Sequence, residues 1–176
     1  LPGGVNSFEV KHYEISNKRI FSVKEYDNKF MLLGSENDGL FFVSFEGEIL
    51  KRHLKEKGNE FGVQSNSIWS ILCDTKNRIW LGSYNQGLVK FDPNHFKFQF
   101  LQNNSESNIR PFPLSISSIV KDNKDRIWFS SVDNGVYVFD NSNGEYIHLN
   151  DPNNKIAKGF NSLDITSLFI DSQQNI

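Results

Sequence analysis

The sequence predicts an all-β fold built from four-stranded antiparallel units, on three observations. Rings are dense: Phe, Tyr and Trp make up 14% of the 176 residues, with 16 Phe, 5 Tyr and 3 Trp against one Cys and one Met. Such residues pack well on pleated sheet surfaces. The chain repeats itself at an interval of 48 residues. Within each repeat, apolar residues come in short bursts separated by turn-forming residues, the pattern of several short strands at regular spacing.

The repeat is plainest between its second and third copies. Ser67-Ile68-Trp69-Ser70-Ile71, Asp74 and Arg78-Ile79-Trp80 align without a gap on Ser115-Ile116-Ser117-Ser118-Ile119, Asp122 and Arg126-Ile127-Trp128. Gly87, Phe91 and Asp92 align on Gly135, Phe139 and Asp140 at the same offset. One repeat earlier, Gly34, Ser35, Gly39 and Ser22-Val23 hold the positions of Gly82, Ser83, Gly87 and Ser70-Ile71, while Leu32 replaces the tryptophan and Tyr26 the aspartate. After the third copy, Ile165-Thr166-Ser167-Leu168, Asp171 and Ile176 repeat its opening at an offset of 49.

Taken in order, Gly4 to Phe8 and Val10 to Tyr13 read as two trailing strands, so residues 1–16 are the end of one unit. Residues 17–62, 63–112 and 113–160 are three whole units, and 161–176 supply the first strand of another. In the second unit the bursts are Ile68 to Cys73, Ile79 to Gly82, Leu88 to Phe91 and Phe96 to Leu101. Val89, Phe91, Phe96, Phe98 and Phe100 alternate with period two, as half-buried strands do. Asp74 to Arg78 and Asp122 to Arg126 form the hairpins between first and second strands, with Asn77 and Asp125 suited to left-handed backbone. No segment has the periodicity of an amphipathic helix.

Four antiparallel strands repeated every ~45 residues form the blade of a β-propeller, whose stacked blades bury each sheet's faces. A β-solenoid is the structural rival, but its repeats are usually shorter. Trp80 and Trp128 are then expected between neighbouring blades, and Gly39, Gly87 and Gly135 where third strands begin. Fewer than four repeats fall short of a typical ring of about seven blades, so the reading is a propeller fragment. The absence of an initiating Met or a signal-type apolar stretch before Leu1 reads as an excised or mature piece. Raw sheet edges, or edges paired in a homodimer, are the expected consequence.

Charge and hydropathy bound the partners. With 19 Lys and Arg against 21 Asp and Glu, the net charge is −2, so no basic stripe offers a nucleic-acid surface. Mean hydropathy is −0.48, and no run approaches the ~18 apolar residues of a membrane helix, so no membrane contact is expected. The single Cys73 cannot form an internal disulfide.

The motif S-I-x-S-I-x-x-D, then I-W-x-G-S and G-L-x-x-F-D, resembles the two-component regulator propeller repeat. Ile71, Asp74, Ile79, Trp80, Gly82, Gly87, Leu88, Phe91 and Asp92 carry the match, followed in the next copy by Ile119, Asp122, Ile127, Trp128, Gly135, Phe139 and Asp140. Departures are Asn77 and Asp125 for a hairpin glycine, Ser83 and Ser131 for threonine, and Ser130 for glycine. The first copy lacks both Trp and Asp. The resemblance implies the periplasmic sensor region of a hybrid two-component system of the kind found in Bacteroidetes. There, propellers precede a β-sandwich, a membrane helix, a histidine kinase, a receiver and often a DNA-binding domain. It further implies detection of a glycan fragment or another nutrient.

The chemistry-bearing residues each have a plain structural reading. His12, His53, His95 and His148 fall in different repeats and read as solvated edge residues. Asp74, Asp122 and Asp171 recur at the start of tight hairpins, where an Asp side chain caps turn N–H groups. Asp122-Asn123-Lys124-Asp125 lacks the Gly and distal Glu of a calcium loop, so no metal is expected. Cys73 reads as a small buried hydrophobe. The glycosylation pattern at Asn103-Asn104-Ser105 carries little weight. No catalytic constellation and no cofactor motif emerge. A propeller enzyme, polysaccharide lyase-like or quinone-dependent, and a purely structural or dimerisation propeller remain the alternatives to a ligand-binding segment.

In such a blade the lead-in to strand one and the loop from strand two to three open on one face. The lead-in position reads Phe21, Trp69, Ser117 and Thr166, and the loop reads Glu36-Asn37-Asp38, Tyr84-Asn85-Gln86 and Val132-Asp133-Asn134. Trp69 and Tyr84 supply rings that suit a sugar face, and Asn85, Glu36, Asp38, Asp133 and Asn134 supply groups for its hydroxyls. Arg110, in the long approach to the third blade, is a further candidate. An oligosaccharide is the expected ligand, and other blades of the parent protein the expected neighbours.

Overall fold

A computed structural model describes residues 10–92, 97–101, 113, 115–151 and 161–176. All twelve elements in them are strands, and they form three separate four-stranded antiparallel sheets. The first sheet runs in sequence order through β1 (Ile20–Tyr26), β2 (Phe30–Ser35), β3 (Leu40–Val43) and β4 (Ile49–His53). The second runs through β5 (Ile68–Cys73), β6 (Ile79–Ser83), β7 (Gly87–Asp92) and β8 (Lys97–Leu101). The third comprises β9 (Ile116–Lys121), β10 (Arg126–Ser131), β11 (Gly135–Asp140) and β12 (Tyr146–His148). First strands lie against one another, β1 against β5 and β5 against β9, as the inner strands of a propeller do.

The core lies between sheets, because each sheet presents apolar side chains on both faces. Leu32 and Leu40 of the first blade meet Ile68, Ile79, Leu81, Val89 and Phe98 of the second. Trp80, Leu88 and Leu101 of the second meet Ile116, Ile127, Phe129, Tyr137 and Phe139 of the third. Trp80 is wholly buried, with its ring centre 5.9 Å from that of Phe139. Trp128, at the same place one blade on, is half-buried, since among the described residues no further sheet covers that side.

The recurring aspartates organise the first hairpin of the blade. Asp74 Oδ1 accepts from the N–H groups of Lys76 (2.9 Å) and Arg78 (3.1 Å), and Oδ2 accepts from Arg78 Nε (2.6 Å) and Trp80 Nε1 (3.0 Å). Asp122 repeats all four bonds with Lys124, Arg126 and Trp128. Asp171 repeats the two turn bonds to Gln173 and Asn175, and Asn175 Nδ2 stands in for the arginine at 2.8 Å. Each turn contains one residue in left-handed backbone: Asn77 (φ 57°), Asp125 (φ 64°) and Gln174 (φ 66°).

Three expectations need correction. Val10 to Tyr13 and residues 161–176 form no strand. The latter segment nonetheless runs along the third blade in the register of a next inner strand. Gly135 N–H donates to Leu163 O at 2.8 Å, as Gly39 N–H does to Asn66 O, and Ile165 N–H donates to Ser131 O. Among the described residues no second strand pairs with it. The histidines are not uniformly solvated either: His148 is buried, stacked 4.2 Å from Tyr137 and bonded through Nε2 to Asn134 O. His53 is half-buried between Phe42 and Phe98. Both sit on last strands whose inward face meets the core. Cys73 is half-buried, and burial pushes its thiol up to about 11. Gly4 to Phe8, His95, Phe96, Asn103 to Ser105 and Arg110 lie outside the described residues.

Candidate functional site

The lead-in position owes its prominence to a β-bulge present in every blade. In the first sheet Ile20 pairs with Ser35 and Ser22 with Gly34, which leaves Phe21 as the extra residue. Trp69 is the extra residue between Ile68 and Ser70, and Ser117 between Ile116 and Ser118. A bulge breaks alternation and re-aims the side chain it carries. Alternation alone would hold these residues within the sheet's regular faces.

Opposite each bulge the second strand closes in on the first. A Cβ on Gly82 would lie within 2.6 Å of Ile116 Cγ2 and closer still to Ser70 Oγ, so a side chain there displaces neighbours. In the third blade Ser130 fills this place. There the Ser118 hydroxyl is engaged elsewhere, accepting from Leu168 N–H at 3.1 Å.

The bulges and loops assemble a row of rings across two blades. Trp69 stacks on Tyr84, centres 4.9 Å apart at 27°, and Phe21 of the first blade lies 5.8 Å from Trp69. Arg19 closes the row, its guanidinium carbon 5.5 Å from the Phe21 ring centre. Phe21 is 40% and Tyr84 45% exposed, so rings at both ends remain open to solvent. The backbone brings lead-in and loop together in each case: Glu36 N–H donates to Arg19 O at 2.8 Å, and Tyr84 N–H to Ser67 O at 3.0 Å.

The polar candidates divide by what they already hold. Glu36 accepts from Arg19 Nε (2.8 Å) and Nη2 (2.5 Å), and these bonds hold its carboxyl below the ordinary range. Asp38 takes Ser16 Oγ at 2.5 Å and an ion pair with Arg52, facing away from the rings toward β4. Asn85 accepts from Ser115 Oγ at 3.3 Å, the repeat of a tighter latch in which Ser67 Oγ donates to Asn37 Oδ1 at 2.8 Å. These amides tie each loop to the next blade's lead-in, and Asn37 and Asn85 sit in left-handed backbone to do so. Asp133 bonds to Ser131 of its own blade, and Asn134 O receives His148. Trp69, Tyr84 and Glu36 thus come together, joined by Phe21 and Arg19. The repeat puts Phe21 at the lead-in position, but nothing in an alternating pattern marks that position as a bulge or pairs Arg19 with Glu36.

The comparisons with known proteins bear on the same stretch. Residues 62–85 match the family described as two component regulator propeller. The matched stretch spans the bulged Trp69, the Asp74 turn with Trp80, and Tyr84, so it holds two rings of the row and the scaffold bonds, while Phe21 and Arg19 lie outside it. By structure, the chain is similar to the extracellular domain of a B. thetaiotaomicron protein classed as a one component system, with 20% identity and a TM-score of 0.66 over 96% of this chain and 21% of that one. A second structure, classed as a hybrid two component system, gives 19%, 0.64, 96% and 21%. The RRP9 WD40 repeats give 12% identity and a TM-score of 0.55 over 75% of this chain and 38% of that one. These likenesses establish the propeller fold. The chain spans about a fifth of the extracellular domains it matches. No curated relative matches it.

Proposed function

We propose that this chain is a non-catalytic, ligand-binding piece of an extracytoplasmic sensor propeller, and that it takes a glycan or similar nutrient on the loop face. The regulator repeat and the likeness to bacterial extracellular domains support the sensor part. The observation that carries the site is the bulge-presented row Phe21, Trp69 and Tyr84, flanked by a donor and acceptor pair, which suits the apolar face and hydroxyl edge of a sugar ring. Other blades of the parent protein complete the ring, and the parent relays occupancy across the inner membrane.

Tryptophan emission titrated with a panel of oligosaccharides tests this. A saturable change that Trp69→Phe abolishes, with folding intact, is the expected result. No response from any oligosaccharide by a folded chain argues for a purely structural propeller.

A further inference from the structure

We infer that the loop-face site selects neutral saccharides over anionic ones, and that Glu36 enforces the choice by holding Arg19. The inference rests on the ligand-binding reading above and sharpens its substrate class.

Arg19 is the cation that touches the ring row, where its guanidinium lies over Phe21. It is also the group an acidic sugar would seek, because guanidinium matches carboxylate and sulfate with two parallel bonds. Glu36 already occupies that edge, taking Nε and Nη2 together. The two residues are tied by main chain as well, through Glu36 N–H and Arg19 O. A ligand carboxylate arriving at Phe21 must therefore displace Glu36 or sit beside it as a like charge. A neutral sugar meets neither cost. Its hydroxyls can donate to the Glu36 oxygens and accept from the exposed Arg19 guanidinium, with both groups held in place.

The pair is not a requirement of the scaffold. The same backbone bond recurs in the second blade between Tyr84 and Ser67, with no charge on either side chain. In the third blade the two positions are Val132 and Ser115. Charge has been placed in the blade that contributes Phe21 to the row, and placed as a balanced pair. The next carboxylate along, Asp38, is likewise matched by Arg52. Lys18 is the remaining nearby cation, and its side chain stands at the exposed rim beside Glu36.

Calorimetric titration of the whole chain tests this with cellotetraose, maltotetraose and mannotetraose against tetragalacturonate and a hyaluronan tetrasaccharide. The wild type is expected to bind a neutral member at least about tenfold more tightly than either acidic one. Neutral binding should change little between about 0.05 and 0.3 M salt. Glu36→Gln should narrow the gap by about tenfold through a gain for the acidic sugars that fades with salt. Arg19→Gln leaves Glu36 alone and should widen it; both exposed variants are checked for native melting. A wild type that prefers an acidic sugar, or an unchanged gap in Glu36→Gln, overturns the selectivity while leaving the site standing. No binding of either class by wild type or variants overturns the site and this inference with it.

Discussion

Replacing Asp74 by alanine should cost far more than removing a turn cap, because its carboxylate is wholly buried and serves four donors at once. Breaking a buried ion pair from one side costs about 3–5 kcal/mol. Arg78 keeps Asn141 and a 3.8 Å contact with Asp125, which places its share near the lower end. The indole N–H of the fully buried Trp80 loses its acceptor, adding about 1 kcal/mol or more. The total is about 4 kcal/mol, equivalent to a fall in Tm of about 8–16 °C for a chain of this size. Guanidinium denaturation followed by tryptophan emission, alongside calorimetric melting, measures it. Asp74→Asn should recover little, since its amide group would face the Arg78 and Trp80 donors. Asp171→Ala removes the same two turn bonds at an exposed site without arginine or tryptophan, and should be much milder. Equal losses for Asp74→Ala and Asp171→Ala would refute the reasoning and reduce the aspartate to a turn former.

Acid should loosen the Asp122 turn of the third blade. At Asp122 burial pushes the carboxyl up, but bonds from Trp128, Arg126 and Lys124 together outweigh it and hold it below the ordinary range. Its contribution is therefore present above the unfolded value of about 3.9 and is lost as pH falls through the folded one, and Asp122→Asn should flatten the acid limb of a urea-midpoint profile. Gly82→Ala should cost about 2 kcal/mol, because Ile116 and Ser70 fill the space of its Cβ, and denaturation should show a smaller effect for Ser130→Gly. With its thiol near 11, Cys73 should be about one part in a thousand thiolate at pH 8, so disulfide reagents should label it slowly until denaturant is added.

Within a blade, the sequence marks strands and turns by local signals. The bursts at Ile68 to Cys73 and Ile79 to Gly82 coincide with β5 and β6 because alternation and turn residues are local signals. Asn77 and Asp125 could be placed in left-handed turns for the same reason. Relations between blades were not legible. The Asn37 and Ser67 latch and the meeting of Phe21 with Trp69 depend on how one sheet lies on the next. Asp38 and Asn85 looked free in the sequence because Arg52 and Ser115, which hold them, are 14 and 30 residues away. The irregular backbone at 161–176 shows the limit from the other side: the repeat pattern there marks a strand that the described residues do not form.

The three tryptophans provide the most direct test of the ligand face. Trp80 and Trp128 donate their indole N–H groups to Asp74 and Asp122 at the hairpin end, while Trp69 stands with Tyr84 at the loop end. In a spectrum of the chain with nitrogen-15 tryptophan, a binding oligosaccharide should move the Trp69 indole signal and leave the other two in place. A titration that moved Trp80 or Trp128 while Trp69 stayed still would contradict the account.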